Sequence, residues 1–346
     1  MDRAVCTAMA AWPRLTSAAA VALLTALPVT ALPACSVGTD GSGTSATPGA
    51  AAATPAERVS GPRSYLYVVP ASGGAQRALL SPSQAARLVS VSDPAWSPDG
   101  RQIAFTAGCP TCTPRLYVVS ASGRKLREIP TGPGGVRSPG WSPRGNAIVF
   151  ARQRGEQQFI VAVDLRRNHV RVINGEPEKA ENSDSTPAWS PDGQRIVFAR
   201  ELHHEDVTLW VVPAAGGPPR PLIRRSRAFD QSHPRWSPDG KSVVFMQAVS
   251  PSVTWDLYVF DAAAGKVSRL TDDRQNEYDP AWAPDGKSVV FASDLARRAG
   301  FRSLYVIGTD GSRLRRLTAS LADDAMPSWS TDDREIVFVR RPTTQA

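Results

Sequence analysis

The sequence predicts an all-β fold built from six repeated four-stranded units, and three observations carry this prediction. A motif close to x-Pro-x-Trp-Ser-Pro-Asp-Gly recurs along the chain, with its tryptophans 45–48 residues apart. Each copy runs into an apolar strand that ends in phenylalanine. The chain also has 30 prolines and 26 glycines, which indicates many tight turns. Repeats of this length are typical of a four-stranded blade, so we expect one six-bladed β-propeller.

The turn chemistry of the motif explains why the first two strands of each unit pair. In Ser-Pro-Asp-Gly, proline fixes φ, aspartate can hydrogen-bond its own backbone, and glycine accepts a positive φ. Valine, isoleucine and phenylalanine dominate the flanking strands, and these residues favour β structure. The six copies are Asp93–Gly100, Ser138–Gly145, Thr186–Gly193, His233–Gly240, Asp279–Gly286 and Met326–Asp333.

The two ends of the repeated region indicate how the ring closes. The region begins with the apolar strand Leu66–Val69, which corresponds to the second half of a unit. Its last copy stops after Ile336–Phe338, which corresponds to the first half. We therefore expect two N-terminal and two C-terminal strands to share one blade, which removes the exposed sheet edges. The propeller is predicted over residues 64–341, with a short tail at 342–346.

The repeat resembles the TolB-type propeller repeat, a relative of the WD repeat, over nearly all of residues 64–341. This resemblance implies a binding role in the cell envelope. Similar propellers also regulate prolyl-oligopeptidase-type peptidases, which need a Gly-x-Ser-x-Gly elbow that this sequence lacks. A catalytic triad, a phosphate loop and a His-Glu-x-x-His motif are absent as well, so we expect a binding protein rather than an enzyme.

The N-terminal residues 1–34 have the pattern of a secretory signal peptide. Arg3 and Arg14 precede a short apolar run, and small residues precede the predicted cleavage site. The segment Leu32–Cys35 resembles the bacterial lipobox, which implies that Cys35 becomes the lipidated first residue of the mature chain. Residues 35–63 are rich in Ala, Gly, Ser, Thr and Pro and are expected to form a flexible tether.

These features predict a protein anchored by lipid to the extracytoplasmic face of the cell membrane. Ordinary cleavage would instead give a soluble secreted or periplasmic protein. The formal charge of +8 is scattered along the chain, so we expect no nucleic-acid partner. The expected partner is an envelope protein or a cell-wall component, bound by a monomer.

Binding is predicted on the mouth face, which we define as the loops that follow the phenylalanine strands and those that precede the Pro-x-Trp strands. The opposite turn face is formed by the Ser-Pro-Asp-Gly turns. Loops that vary on a rigid scaffold are common binding sites. The alternative function is that of a lyase or hydrolase acting on a cell-wall glycan or peptide. No catalytic residues can be assigned to it from the sequence. The candidate residues for ligand or partner binding are Asp93, His203, Glu205, Asp230, His233, Tyr278 and Asp279.

Carboxylates that recur before the Pro-x-Trp strands suggest a second possibility at the same face. If they formed a ring, it could hold a cation such as Ca²⁺, whereas short aspartates also serve simply as turn residues. The sequence gives no defined metal-ligand set and implies no other cofactor. The recurring carboxylates are Asp93, Asp184, Asp230, Asp279 and Asp324.

Two cysteines, Cys109 and Cys112, lie close together in one loop of the mouth face. Disulfides form and persist outside the cytoplasm, so we expect these two residues to be joined in a local disulfide.

Replacement of Cys35 by alanine should release the protein from membranes, because the acyl chains would have no attachment site. Fractionation of cells that express the wild-type protein and Cys35→Ala measures this effect. Cys6→Ala is the matched control, since Cys6 lies inside the predicted signal peptide and should not affect anchoring. Unchanged membrane fractionation of Cys35→Ala would refute lipidation.

Overall fold

The computed structural model describes residues 63–108, 112–174, 182–202, 206–223, 229–249, 254–273, 275–295 and 301–342. Within these ranges, six antiparallel sheets of four strands form the blades of a propeller. The one helix in the same ranges is α1, Pro82–Arg87, which Ser81 begins with a capping box. No helix of the described chain is long and apolar enough to cross a membrane.

The first three blades follow one another along the chain. Blade 1 contains β3 (Ser90–Trp96), β4 (Gln102–Gly108), β5 (Arg115–Ser120) and β6 (Arg127–Ile129). Blade 2 contains β7 (Gly135–Trp141), β8 (Ala147–Arg154), β9 (Gln157–Asp164) and β10 (His169–Val172). Blade 3 contains β11 (Asn182–Trp189), β12 (Arg195–Leu202), β13 (Val207–Pro213) and β14 (Arg220–Pro221).

The remaining three blades complete the ring, and the last of them uses both ends of the described chain. Blade 4 contains β15 (Gln231–Trp236), β16 (Ser242–Val249), β17 (Thr254–Asp261) and β18 (Lys266–Arg269). Blade 5 contains β19 (Glu277–Trp282), β20 (Ser288–Ser293), β21 (Ser303–Gly308) and β22 (Arg315–Arg316). Blade 6 contains β23 (Asp323–Trp329), β24 (Glu335–Arg341), β1 (Tyr65–Pro70) and β2 (Arg77–Ala78).

Ring closure occurs in blade 6 as the sequence predicts. Strand β1 pairs antiparallel with β24 from Tyr65↔Arg340 to Pro70↔Glu335, so the sheet order is β2-β1-β24-β23. The innermost strands contact one another in the cyclic order β3, β7, β11, β15, β19, β23 and back to β3. The expectation of six blades closed by shared terminal strands is therefore confirmed.

Phenylalanine at one repeated position of each second strand fills the space between neighbouring blades. Each of these six side chains is at most 2% exposed. In blades 1, 4 and 5 the ring stacks on a tyrosine of the third strand, as Phe105 does on Tyr117 with centroids 5.8 Å apart. Aromatic residues bury large apolar areas, so this repeated position is the main core contact. The six residues are Phe105, Phe150, Phe198, Phe245, Phe291 and Phe338.

The polar groups of the Ser-Pro-Asp-Gly turns form hydrogen bonds within the turn, as the sequence predicts. In blade 1, Ser97 Oγ donates to Asp99 Oδ1 at 2.6 Å and accepts from the amide of Gln102 at 2.9 Å. The serine hydroxyl lowers the pKa of Asp99 from its usual value. Gly100 has a φ of +67°, and in blade 6 Asp333 takes the equivalent conformation at +62°. Aspartate is among the few residues that tolerate this region.

A β-bulge interrupts each innermost strand at the residue before proline, and the sequence did not predict it. The pairing register shifts at this point in all six blades. The residue before proline has a φ between 50° and 55° in each case. Bulges bend a strand and re-aim a side chain. We call these the bulge residues: Asp93, Ser138, Thr186, His233, Asp279 and Met326.

Buried arginine–aspartate pairs join the first two strands of blades 3 and 6. Arg200 binds both carboxylate oxygens of Asp184 at 2.6 Å, and Arg340 binds those of Asp324 at 2.7 and 2.8 Å. Both aspartates are buried, so they do not join the carboxylate ring that the sequence suggested. Arg340 also donates to Gln76 of the N-terminal segment, which lies 264 residues away along the chain.

A hydroxyl after the last strand of blade 4 links that blade to blade 5. Thr271 Oγ1 accepts from the amide of Leu257 at 2.9 Å and donates to Glu277 Oε2 at 3.1 Å. Glu277 also accepts from Ser293 Oγ at 3.2 Å and has no exposed surface. Burial raises the pKa of Glu277 to about 9, and the charge of Asp273 adds to this effect. Glu277 is therefore held in its neutral form at pH 7.

Arg340→Met should destabilise the protein by about 3–5 kcal/mol, because it leaves the Asp324 carboxylate buried without its partner. Equilibrium unfolding in urea measures this loss. Arg77→Ala is the control, since the Arg77–Glu335 pair on the same blade is partly exposed to solvent and worth about 0–1 kcal/mol. Similar losses for the two variants would show that the buried pair contributes no more than a surface contact.

Glu277→Gln should make the free energy of unfolding less sensitive to pH between about 5 and 9. The unfolded chain ionises this carboxyl near 4.5 and the folded protein near 9, so the wild type loses stability as the pH rises across that window. Glutamine cannot ionise. The free energy of unfolding of the variant should therefore rise relative to that of the wild type as the pH increases from 5 to 9. Urea midpoints at intervals across this range measure the difference, and a constant difference would contradict the assignment.

Candidate functional site

The channel at the centre of the ring contains a cavity of about 290 Å³. Five of the six bulge residues line it, Thr186 being the exception. Prolines and tryptophans of the same repeated motif form much of the remaining wall. Because the bulges turn variable side chains toward the axis, a repeated scaffold acquires a lining that differs from blade to blade.

A run of contacts connects the bulge residues of blades 4, 5, 6 and 1. His233 Nε2 lies 3.4 Å from Asp279 Oδ1, and Asp279 Oδ2 accepts from the amide of Met326 at 3.2 Å. The amide of Asp93 points to Met326 Sδ at 3.4 Å. The charged residues thus occupy one side of the channel. Blades 2 and 3 present only Ser138 and small or apolar side chains to the cavity.

His233 is held between two polar neighbours. Its Nδ1 lies 2.9 Å from Ser232 Oγ, while its Nε2 faces Asp279. Burial lowers the pKa of His233, and the charge of Asp279 opposes this shift only in part. The imidazole is therefore neutral at pH 7, and it can accept or donate one proton at a ring nitrogen.

Arg235 is a functional candidate that the sequence analysis missed. The five other blades have alanine, glycine or serine at its position. An alignment of the six motifs would therefore have singled out Arg235. Its side chain lines the cavity, and Nη1 donates to the carbonyl of Pro234 at 2.9 Å. Burial lowers the pKa of Arg235, whereas the nearby Asp279 and Asp93 act in the opposite direction. The guanidinium remains protonated, as arginine does in proteins.

The other predicted site residues lie away from this cavity or outside the described ranges. Asp230 is half-buried, and its Oδ1 accepts from the amide of Val207 at 2.9 Å, so it orders the mouth loop. Tyr278 is half-buried beneath the guanidinium of Arg302, which lies 5.4 Å from its ring centroid. His203 and Glu205 lie outside the described residues. The binding roles of all four stay predictions.

The metal and cysteine predictions can be compared with the structure only within the described residues. Among the described residues, no three His, Cys, Asp or Glu side chains lie close enough together to hold a metal ion. Cys112 is disulfide-bonded. Cys109 and Cys35 lie outside the described residues, so the pairing of Cys109 with Cys112 and the lipidation of Cys35 stay predictions.

Solved structures of low sequence identity share this fold. A protein assigned as TolB from Agrobacterium tumefaciens is 19% identical with a TM-score of 0.65, and the match covers 82% of this chain and 100% of that one. TolB from Acinetobacter baumannii is 20% identical with a TM-score of 0.61, and here the coverage is 78% and 66%. At these identities the likeness establishes the fold alone.

A curated relative has the name of an enzyme. The uncharacterized peptidase YuxL of Bacillus subtilis is 40% identical over 68 residues, which is 20% of this chain. The match spans only 10% of that relative's length. A family model described as the TolB beta propeller domain matches residues 56–231 and 222–346, which is most of the sequence. The chain therefore belongs to the TolB β-propeller family.

Proposed function

We propose that this protein is a lipid-anchored binding module of the cell envelope that presents the mouth of its channel to an envelope protein or a cell-wall component. The predicted signal peptide and Cys35 support the location. The TolB-type propeller supports binding, because TolB neighbours share the fold.

The observation that carries the proposal is the set of ionisable side chains gathered in the channel. Asp93, His233, Arg235 and Asp279 line one small cavity, although their blades are otherwise near-copies. Charged side chains lose hydration when they are buried, so a protein that only needed to fold would gain nothing from placing them here. Concave sites with a few convergent polar groups are the usual form of a ligand site.

Apolar side chains on the mouth loops of blades 5 and 6 add a surface for a protein partner. Leu321 is 70% exposed and Phe301 is 36% exposed. Their loops are fastened together, because Arg302 binds both oxygens of Asp323 at 2.9 and 2.7 Å. A partner that covers the mouth face would bury these two exposed apolar side chains, which would favour its binding.

Catalysis is the second candidate function, and the pair of His233 and Asp279 is the observation that favours it. A neutral imidazole beside a carboxylate is a common general base. His233 lines a cavity large enough for part of a cell-wall peptide or glycan. Turnover of such fragments by the wild type, with loss of turnover in His233→Gln, would establish the protein as an enzyme.

A photo-crosslinking residue in place of Leu321 should capture a specific envelope component in living cells. The same residue in place of Arg144 is the matched control, because Arg144 is exposed on the turn face. Adducts are read by gel shift and mass spectrometry. We expect them at position 321 and not at position 144.

Substitution of the channel charges provides a second control for this experiment. Arg235→Ala combined with Asp279→Asn should weaken crosslinking at position 321 if the partner reaches into the channel. Adducts that form only at position 144, or equally at both positions, would show that the mouth face is not the binding surface.

A further inference from the structure

The guanidinium of Arg235 has unused hydrogen-bonding capacity inside the channel. Its Nη1 donates to the adjacent Pro234 carbonyl, and it forms no ion pair with any carboxylate in the described ranges. Asp93 and Asp279 line the same cavity as Arg235, and the charges of both carboxylates act on the guanidinium. A guanidinium offers five N–H donors in a planar fork that matches a carboxylate. The remaining donors of Arg235 are therefore available to an anionic group of a ligand.

The two carboxylates are available to cationic groups in the same way. Asp93 Oδ2 accepts from Ser92 and Thr106, at 3.1 and 3.4 Å, and Asp279 shares its oxygens between His233 and the amide of Met326. These neighbours are neutral at pH 7, because burial keeps His233 uncharged. Neither carboxylate has a cation of the protein in ion-pair contact within the described chain.

The formal charges in the channel do not balance. Two carboxylates and one guanidinium leave a surplus of one negative charge when His233 is neutral. A ligand that complements this set brings one carboxylate for Arg235 and more than one ammonium for Asp93 and Asp279. Its size is limited, because the cavity of about 290 Å³ lies at the lower end of the range for small-molecule sites.

Space for such a ligand lies on the opposite side of the channel. Blades 2 and 3 present Gly140 and Ala188 at the position that Arg235 occupies in blade 4. A short aliphatic chain can lie along these small residues and the neighbouring tryptophans Trp141 and Trp189. The carboxylate and ammonium groups of the ligand would then reach Asp93, Arg235 and Asp279 on the other side of the channel.

We propose that the channel binds a small basic amino acid, with its carboxylate on Arg235, its α-ammonium on Asp279 of the neighbouring blade and its side-chain ammonium on Asp93, which lies farther around the ring. This inference rests on the proposed function, because it names the ligand of the same channel. It goes beyond that function in predicting which chemical groups the channel distinguishes.

Titration calorimetry of the full protein with lysine tests the proposal. We expect saturable binding of lysine. Cadaverine lacks the carboxylate, norleucine lacks the side-chain ammonium, and glutamate has the opposite charge balance, so each should bind at least tenfold more weakly. Absence of lysine binding, or equal or tighter binding of glutamate, would overturn the proposal.

Two variants assign the binding groups. Arg235→Ala restores the residue that blades 1, 3 and 5 have at this position, so it is expected to fold, and its thermal unfolding is measured as a check. It should lose the preference for lysine over cadaverine. Asp93→Asn should lose the preference for lysine over norleucine. Unchanged preferences in folded variants would show that lysine binds elsewhere.

The crosslinking experiment separates failure of this inference from failure of the proposed function. Adducts at position 321 without any lysine binding would leave the mouth face as a partner surface and refute the amino-acid ligand. Lysine binding that depends on Arg235, without adducts at position 321, would support the amino-acid ligand. It would refute the proposal that the mouth face binds a macromolecular partner.

Discussion

Packing of each sheet on both of its faces is the constraint on which this structure depends. The phenylalanine of every second strand is buried between one blade and the next, so no blade can bury its own apolar surface. Neighbours must supply the missing contacts, and a ring is the arrangement in which every blade has two of them. The similar turns and the repeated phenylalanine position are consistent with this requirement. Because the core positions must fit between blades, the sequence can vary freely only at residues that line the channel or are exposed to solvent.

The bulge before each proline converts that regular ring into a specific site. A regular strand would alternate its side chains between the two neighbouring blades. The left-handed residue instead contributes to the channel lining in five of the six blades, and its identity is not restricted by the core. Aspartate, serine, histidine and methionine all occur there. The structure thus separates the residues that maintain the fold from those that determine what the channel contacts, and a single additional substitution, Arg235 for a small residue, changes the charge of the site.

The fold was predictable from the sequence because its determinants repeat, whereas the site was only partly predictable because its determinants do not. The spacing of the tryptophans and the half-units at the two ends indicated six blades and their closure. Asp93, His233 and Asp279 could be placed near the axis from their position before proline. The positive φ of these residues could not be predicted. The six bulge residues are of five different types and share no sequence signal for this conformation. The burial of Asp184 and Asp324 depends on Arg200 and Arg340, which the repeat does not specify.

Closure through blade 6 also determines when the protein can become folded. Arg340 and Gln76 touch although 264 residues separate them, and β1 has no partner toward the axis until β24 is present. Contacts between distant parts of a chain form slowly, because the intervening loop loses entropy first. A chain that still lacks its last strand therefore has two open sheet edges and an unfilled ring. Folding of the ring is therefore completed only once the C-terminal strand β24 is available to pair with β1.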